Sequence, residues 1–204
     1  MTPLLQVREL RKYFPVKKDF FGRGTAKVHA VDGVSFSIAD GETLGLVGES
    51  GCGKSTAGKT ILRLIDPTSG EIEWRGKRID ALGRAAMHPV RRELQVVFQD
   101  PYSSLNPRLR ARDIVAEPLR NYESLTEAQM REHVAFMFEK VGLRADQMVK
   151  YPHEFSGGQR QRLGIARALA VRPRLIVCDE PVSALDVSVQ AQVINLLVDL
   201  QAEF

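Results

Sequence analysis

Long hydrophobic runs are missing from this sequence. No apolar stretch in its 204 residues approaches the roughly 20 needed to cross a bilayer as a helix. Mean hydropathy is −0.18, so no membrane span is expected. Cysteine is nearly absent: Cys52 and Cys178 stand far apart and are the only two. That excludes a disulfide framework or a cysteine-rich zinc site and makes a reducing cytosol the simplest compartment. Met1 to Phe14 mixes charges among its apolar positions and lacks the core of a signal peptide. Neither charge sign dominates. Against 25 acidic residues stand 29 Lys and Arg, a net +4, which suits anionic small molecules as well as nucleic acid and selects no partner. Internal repeats and low-complexity tracts are lacking too. What remains is a globular composition, 44% hydrophobic and 26% charged, long enough for one domain with a buried core or one domain with an inserted lobe.

Short apolar runs alternate with helical patterns. Leu4 to Leu10 and Val31 to Ile38 read as strands, with a charged, Gly- and Thr-containing loop from Lys17 to Lys27 between them. Thr43 to Val47 reads as a short buried strand before a Gly-rich turn and a helix from Lys54 to about Ile65. Glu71 to Trp74 and Leu94 to Phe98 are further strands. This alternation predicts an α/β protein with a parallel sheet. From Arg110 to Lys150 no strand signal appears, and Thr126 to Gln129 has the form of a capping box opening a helix with Val134, Phe138 and Val141 on one face. Sheet logic returns at Leu175 to Cys178. A last helix from about Ser188 carries Val189, Val193, Leu196, Leu197 and Leu200 as its apolar stripe, most simply read as core packing.

Gly48-Glu49-Ser50-Gly51-Cys52-Gly53-Lys54-Ser55 matches the full P-loop pattern between a strand and a helix. Its glycines let backbone N–H groups curl around phosphate oxygens, and the helix N-terminus adds its positive end. Lys54 reaches the β- and γ-phosphates in such a loop, Ser55 offers a hydroxyl to Mg²⁺, and Thr56 a donor to the α-phosphate. Leu175-Ile176-Val177-Cys178 ends in Asp179-Glu180. Strand C-termini are where ligands bind in open α/β sheets, so Asp179 is placed to hold Mg²⁺ and Glu180 to orient or deprotonate the attacking water. A strand ending in two carboxylates is weak evidence alone and strong beside a P-loop. Cys52 and Cys178 read as small fillers rather than reactive thiols.

Phe155-Ser156-Gly157-Gly158-Gln159-Arg160-Gln161, before a long helix from about Gln159 to Ala170, resembles the signature of ATP-binding cassette (ABC) ATPases, with Phe155 where many members carry Leu. The resemblance covers the chain from Val7 to Gln201. It implies a P-loop NTPase core with a mainly parallel sheet, an N-terminal antiparallel β subdomain and an inserted helical lobe, with residues 105–155 as the lobe and 1–104 plus 156–204 as the core. It also implies a head-to-tail dimer in which Ser156, Gly157, Gly158 and Gln159 cap the ATP held by the partner's P-loop. Gln99 matches the Q-loop glutamine that contacts Mg²⁺ and the attacking water. Ser183-Ala184-Leu185-Asp186 matches the D-loop, and Phe14 the aromatic that stacks on adenine, with Tyr13 as the competing candidate and core packing as the alternative for either.

Tyr13-Phe14-Pro15-Val16, the insertion up to Val28, Gln99-Asp100-Pro101-Tyr102-Ser103-Ser104-Leu105-Asn106-Pro107-Arg108 and Leu185 to Gln192 resemble the oligopeptide/dipeptide/nickel importer subfamily, most closely the second of its two ATPase subunits. The Pro-Tyr-Ser-Ser-Leu-Asn-Pro string is the most specific of these; its plainer reading is a Pro-bounded loop. The resemblance implies an ATP- and Mg²⁺-dependent ATPase powering solute import, with peptides as the expected solute. It would be paired with a second ATPase subunit, bound to two permeases fed by an extracytoplasmic binding protein, at the cytoplasmic face of a bacterial or archaeal membrane. No nucleic acid is expected. The family's switch histidine lies on a strand beyond the helix that here reaches Phe204, and His29, His88, His133 and His153 do not match it. The expectation is therefore a chain that binds ATP and turns it over slowly. The alternatives are a nucleotide-binding module with little turnover and a soluble, non-transport ABC ATPase.

Overall fold

The computed structural model describes residues 3–15 and 26–204. Val16 and all but the last two residues of the loop read at Lys17 to Lys27 lie outside them. The chain divides into two compact units, Met1–Met87 and His88–Phe204.

In the first unit β1 (Leu5–Pro15) is flanked by β2 (Lys27–Ile38) and β3 (Ser69–Trp74), and the two-residue β4 (Lys77–Arg78) extends β3. Every pairing in this sheet is antiparallel. Leu5 and Val7 point inward by strict alternation, which would next bury Glu9 and expose Leu10. Instead Glu9 adopts φ 47°, the register shifts between Val7 and Leu10, and Leu10 is fully buried. The bulge resets the parity of the strand. Gly70 makes room for it: a Cβ there would lie 2.5 Å from the Glu9 carbonyl oxygen. Leu5, Val7, Leu10, Ile72 and Trp74 form the sheet's buried face, on which α1 (Lys54–Ile61) contributes Ala57, Thr60 and Ile61.

Two expectations fail in this unit. The helix after the P-loop ends at Ile61, not near Ile65, because Arg63 turns left-handed at φ 53° to send its guanidinium to the carbonyl oxygens of Ile79 (2.8 Å) and Asp80 (2.6 Å). Thr43 to Val47 is not a buried strand. It belongs to neither sheet of the described residues, and Leu44, Leu46 and Val47 are exposed, Val47 at 95%. A run this short becomes a strand only as a member of a sheet.

The helix α2 (Arg84–Glu93) carries an internal Pro89 and leads into β5 (Leu94–Val97). In the second unit β5 pairs in parallel with β6 (Leu175–Cys178), the parallel element that the sequence predicted. Between them come α3 (Pro101–Ser104), α4 (Ala111–Tyr122), α5 (Glu127–Lys140) and α6 (Gly157–Leu169), and α7 (Val187–Glu203) follows β6. Thr126 caps α5 in the predicted capping box with Gln129. Ile114, Val115, Leu119, Val134, Met137, Phe138, Val141, Leu163 and Ile165 build one core from α4, α5 and α6. Of the stripe predicted on α7, Val193 and Leu200 are buried, and Val189, Leu196 and Leu197 pack partly against that core. No described helix is long and apolar enough to cross a membrane.

Candidate functional site

The P-loop lies in the first unit. Gly51 and Gly53 have φ 82° and 99°, left-handed angles that only glycine adopts without strain. The Cys52 N–H donates to the Glu49 carbonyl at 3.2 Å, closing the turn, and the Ala57 N–H donates to Gly53 O at 2.8 Å, starting α1. A Cβ at Gly53 would sit 1.9 Å from the Ala30 carbonyl oxygen, and one at Gly48 2.6 Å from Cys52 Sγ. Backbone thus bars a side chain at Gly53, and one at Gly48 would displace the Cys52 thiol. Gly53 is the N-cap of α1, with no side-chain cap and no acidic residue in the first turn, so this helix end favours an anion. Lys54 Nζ bridges the loop by donating to Gly48 O (2.8 Å) and Glu49 O (2.9 Å). Ser50 is exposed on the loop, and Ser55 and Thr56 are half-buried in the first turn of α1. Backbone donors, a cation and hydroxyls in this order fit a polyphosphate, and Ser55 adds a hard oxygen suited to Mg²⁺.

Phe14 lies at the same end of the sheet. It pairs with Val28, two residues from the Ala30 carbonyl that Gly53 approaches. Phe14 is 39% exposed, with Lys12 Nζ 5.0 Å from its ring centroid. Tyr13 is engaged elsewhere: its ring stacks on His29 at 4.0 Å and its hydroxyl donates to Asp32 at 2.6 Å. That bond holds the Asp32 carboxyl below its usual range and the phenol above. Of the two candidate rings Phe14 is the more exposed.

The carboxylates lie in the second unit. Parallel register pairs Val97 with Cys178, so Gln99 and Glu180, each two residues further on, leave the strands side by side. Gln99 Nε2 donates to Glu180 Oε2 at 2.9 Å and to Ser183 Oγ at 3.2 Å, while Ser183 Oγ donates to Glu180 O at 3.1 Å. Glu180 is held at φ 47°, a conformation that costs of order 1–3 kcal/mol outside glycine. The Asp179 N–H donates to Val97 O at 2.9 Å and extends the ladder. Asp179 and Gln99 present oxygens of the kind Mg²⁺ takes. The sequence offered Ser183 only as a dimer contact; its spacing of three from Glu180 across a turn was the available sign of this link.

Ser156 is the N-cap of α6. Its hydroxyl accepts the Gln159 N–H at 3.3 Å, and Gln159 Oε1 accepts the Ser156 N–H at 3.0 Å. Gly157 faces Leu185, and a Cβ at Gly158 would lie 2.6 Å from Val189 Cγ1. Asp186 is the exposed N-cap of α7 and makes no side-chain cap bond. Cys52 and Cys178 are free thiols. Cys178 keeps exposed surface, yet protein packed around its sulfur pushes the thiol up to about 11, so it is protonated at neutral pH. Of the histidines, His29 stacks on Tyr13 and His153 on Tyr151, His88 meets Tyr122 with the rings tilted at 43°, and His133 has a buried Nε2 without a hydrogen-bond partner.

A glycine-lined anion cradle opening a helix, with a glutamine–carboxylate pair at parallel strand ends, defines a P-loop nucleotide-binding cassette. Residues 31–183 match the ABC transporter family, and the chain belongs to that family. It is 54% identical over 202 residues to the oligopeptide transport ATP-binding protein AppF of Bacillus subtilis (strain 168), covering 98% of this chain and 61% of that protein. To the glutathione import ATP-binding protein GsiA of Escherichia coli (strain K12) it is 52% identical over 202 residues, covering 99% of this chain and 32% of that protein. The chain thus spans less than two thirds of these relatives' length. Among solved structures it superposes on the dimeric post-hydrolysis state of the ATP-binding cassette MJ0796, bound to ADP and Pi, with a TM-score of 0.85 and 29% identity, covering 98% of this chain and 83% of that one. With cbiO1 of Clostridium perfringens, part of the ABC transporter complex cbiONQ, the TM-score is 0.80 at 30% identity, over 100% of this chain and 75% of that one. The fold is that of ABC ATPase cassettes.

Proposed function

We propose that this chain binds and hydrolyses ATP to power solute import, with peptides as the solute class, as the ATP-binding part of an ABC importer. The observation that carries the reading is the glycine cradle at the uncapped start of α1, bridged by Lys54. The names of the relatives, oligopeptide transport and glutathione import, support the solute class.

In this reading the N–H groups around Gly48, Ser50, Gly51, Cys52 and Gly53 hold phosphate oxygens. Lys54 exchanges its two carbonyl partners for the β- and γ-phosphates, Thr56 donates to the α-phosphate, and Phe14 stacks on adenine. Ser55, Asp179 and Gln99 supply oxygens for Mg²⁺, whose chemistry is to neutralise charge on the phosphates. Glu180 orients or deprotonates the attacking water, and the Gln99 amide fixes which way that carboxylate faces. Ser156, Gly157, Gly158 and Gln159 cap the ATP of a second cassette in a head-to-tail dimer, which Ser183 and Asp186 also meet. Residues 105–155 form the lobe inserted into the core. Two permeases, fed by an extracytoplasmic binding protein, hold the dimer at the cytoplasmic face of the inner membrane of a bacterium or archaeon.

Lys54→Ala tests the reading. Loss of a charged donor to phosphate is expected to weaken Mg·ATP binding about 10- to 100-fold and abolish phosphate release, read by calorimetry and a phosphate assay. Unchanged affinity and turnover sink it.

A further inference from the structure

The helix α3 begins two residues after Gln99, and none of the roles above uses it. Two arginines on one stripe of α6 hold it. Arg160 and Arg167 are seven residues, or about two turns, apart and so point the same way. The guanidinium carbon of Arg160 lies 3.5 Å from the ring centroid of Tyr102, and Arg167 Nη1 donates to Ser104 O at 2.6 Å. Arg160 is 8% exposed, and its Nε has no hydrogen-bond partner. The face of the ring therefore compensates a buried cation. Tyr102 is 63% exposed, so it is not there to fill a core. Little freedom remains between Tyr102 and Gln99: the Asp100 carboxylate accepts the Tyr102 N–H at 2.8 Å, and Asp100 O accepts the Ser104 N–H at 3.2 Å. Arg160 directly follows Gln159, the residue locked to Ser156 by the capping box.

We infer that Tyr102 and Arg160 are positioning residues for hydrolysis. Their stack ties the Gln99 amide to the start of α6, so the hydrogen bond from Gln99 to Glu180 depends on where Ser156, Gly157 and Gly158 stand. The inference rests on the ATPase reading. It separates binding from turnover, because the P-loop holds nucleotide with residues that the stack does not touch.

The test is steady-state ATP hydrolysis by the intact protein and its Tyr102→Ala, Tyr102→Phe, Arg160→Met and Tyr102→Ala/Arg160→Met variants, with thermal melts as a folding control. Tyr102→Ala is the primary variant because its side chain is exposed. The expected result is a fall in kcat of about 5- to 30-fold with KM within about twofold of wild type, and near-normal turnover in Tyr102→Phe, which keeps the ring. The double variant should be no slower than the slower single one, as for two halves of one contact. Unchanged kcat in Tyr102→Ala, a parallel rise in KM, no rescue by phenylalanine, or multiplying effects in the double variant overturns the link while leaving the ATPase reading intact. A wild-type protein that neither binds nor hydrolyses Mg·ATP overturns that reading, and the link with it.

Discussion

Gly158 offers a perturbation whose sign the structure decides. Glycine inside a helix is ordinarily a loss of roughly 0.5–1 kcal/mol against alanine, so propensity alone makes Gly158→Ala stabilising. The added methyl, however, would lie 2.6 Å from Val189 Cγ1, more than an ångström inside a normal carbon–carbon contact. Val189 is on α7 and is β-branched, so its χ1 cannot swing away cheaply in a helix. Either α7 shifts or the valine leaves its rotamer, and overpacking of this kind costs about 1–3 kcal/mol. The net expectation is a loss of about 0.5–2 kcal/mol, which is about 2–6 °C in Tm for a chain of this size.

Gly157 is the internal control. Its added Cβ would meet Leu185 Cδ2 at 3.5 Å, an ordinary contact, so Gly157→Ala should match or exceed wild-type stability. Thermal or urea unfolding of Gly158→Ala, Val189→Ala, the double variant and Gly157→Ala measures all the terms. Val189→Ala should recover the loss in the Gly158→Ala background, with a favourable coupling of about 1 kcal/mol. The reasoning is refuted if Gly158→Ala is as stable as wild type, or if the coupling lies within about 0.3 kcal/mol of zero.

Glu180→Gln keeps the shape of the Gln99 contact and removes the base; ATP binding should persist while phosphate release falls at least about 100-fold, and full turnover in this variant removes Glu180 from the chemistry. Because its surroundings push the Cys178 thiol up to about 11, thiolate forms only as pH rises toward that value. In a Cys52→Ser background, alkylation by iodoacetamide should be slow at pH 7.5 and rise about tenfold per pH unit to pH 10, and a plateau below pH 9 contradicts it. Thr126→Ala removes the hydroxyl that caps α5 and should cost about 1 kcal/mol in urea unfolding; no change shows that the cap is idle.

Local signals were legible in the sequence because their causes are local. The P-loop spacing, the capping box at Thr126 and the apolar stripe at Val134, Phe138 and Val141 each depend on residues a few positions apart, and each stands in the structure. Thr43 to Val47 misled because an apolar run announces that it can be a strand, not that a neighbour will pair with it. The reset at Glu9 was hidden for a related reason: Leu10 is buried only because Gly70, 60 positions on, leaves space for the bulge. Pro89 and Pro118 inside α2 and α4 broke the pattern that a sequence reading relies on. At the site, the sequence named Gln99 and Glu180 separately and could not join them. The parallel register of β5 and β6 joins them across 81 positions. Glu180 holds its left-handed φ of 47° at the start of a turn in which the Ser183 N–H and hydroxyl donate to its carbonyl oxygen at 3.2 and 3.1 Å, while its carboxylate accepts the Gln99 amide at 2.9 Å. Gln99 and Ser183 therefore belong to the geometry of Glu180 itself.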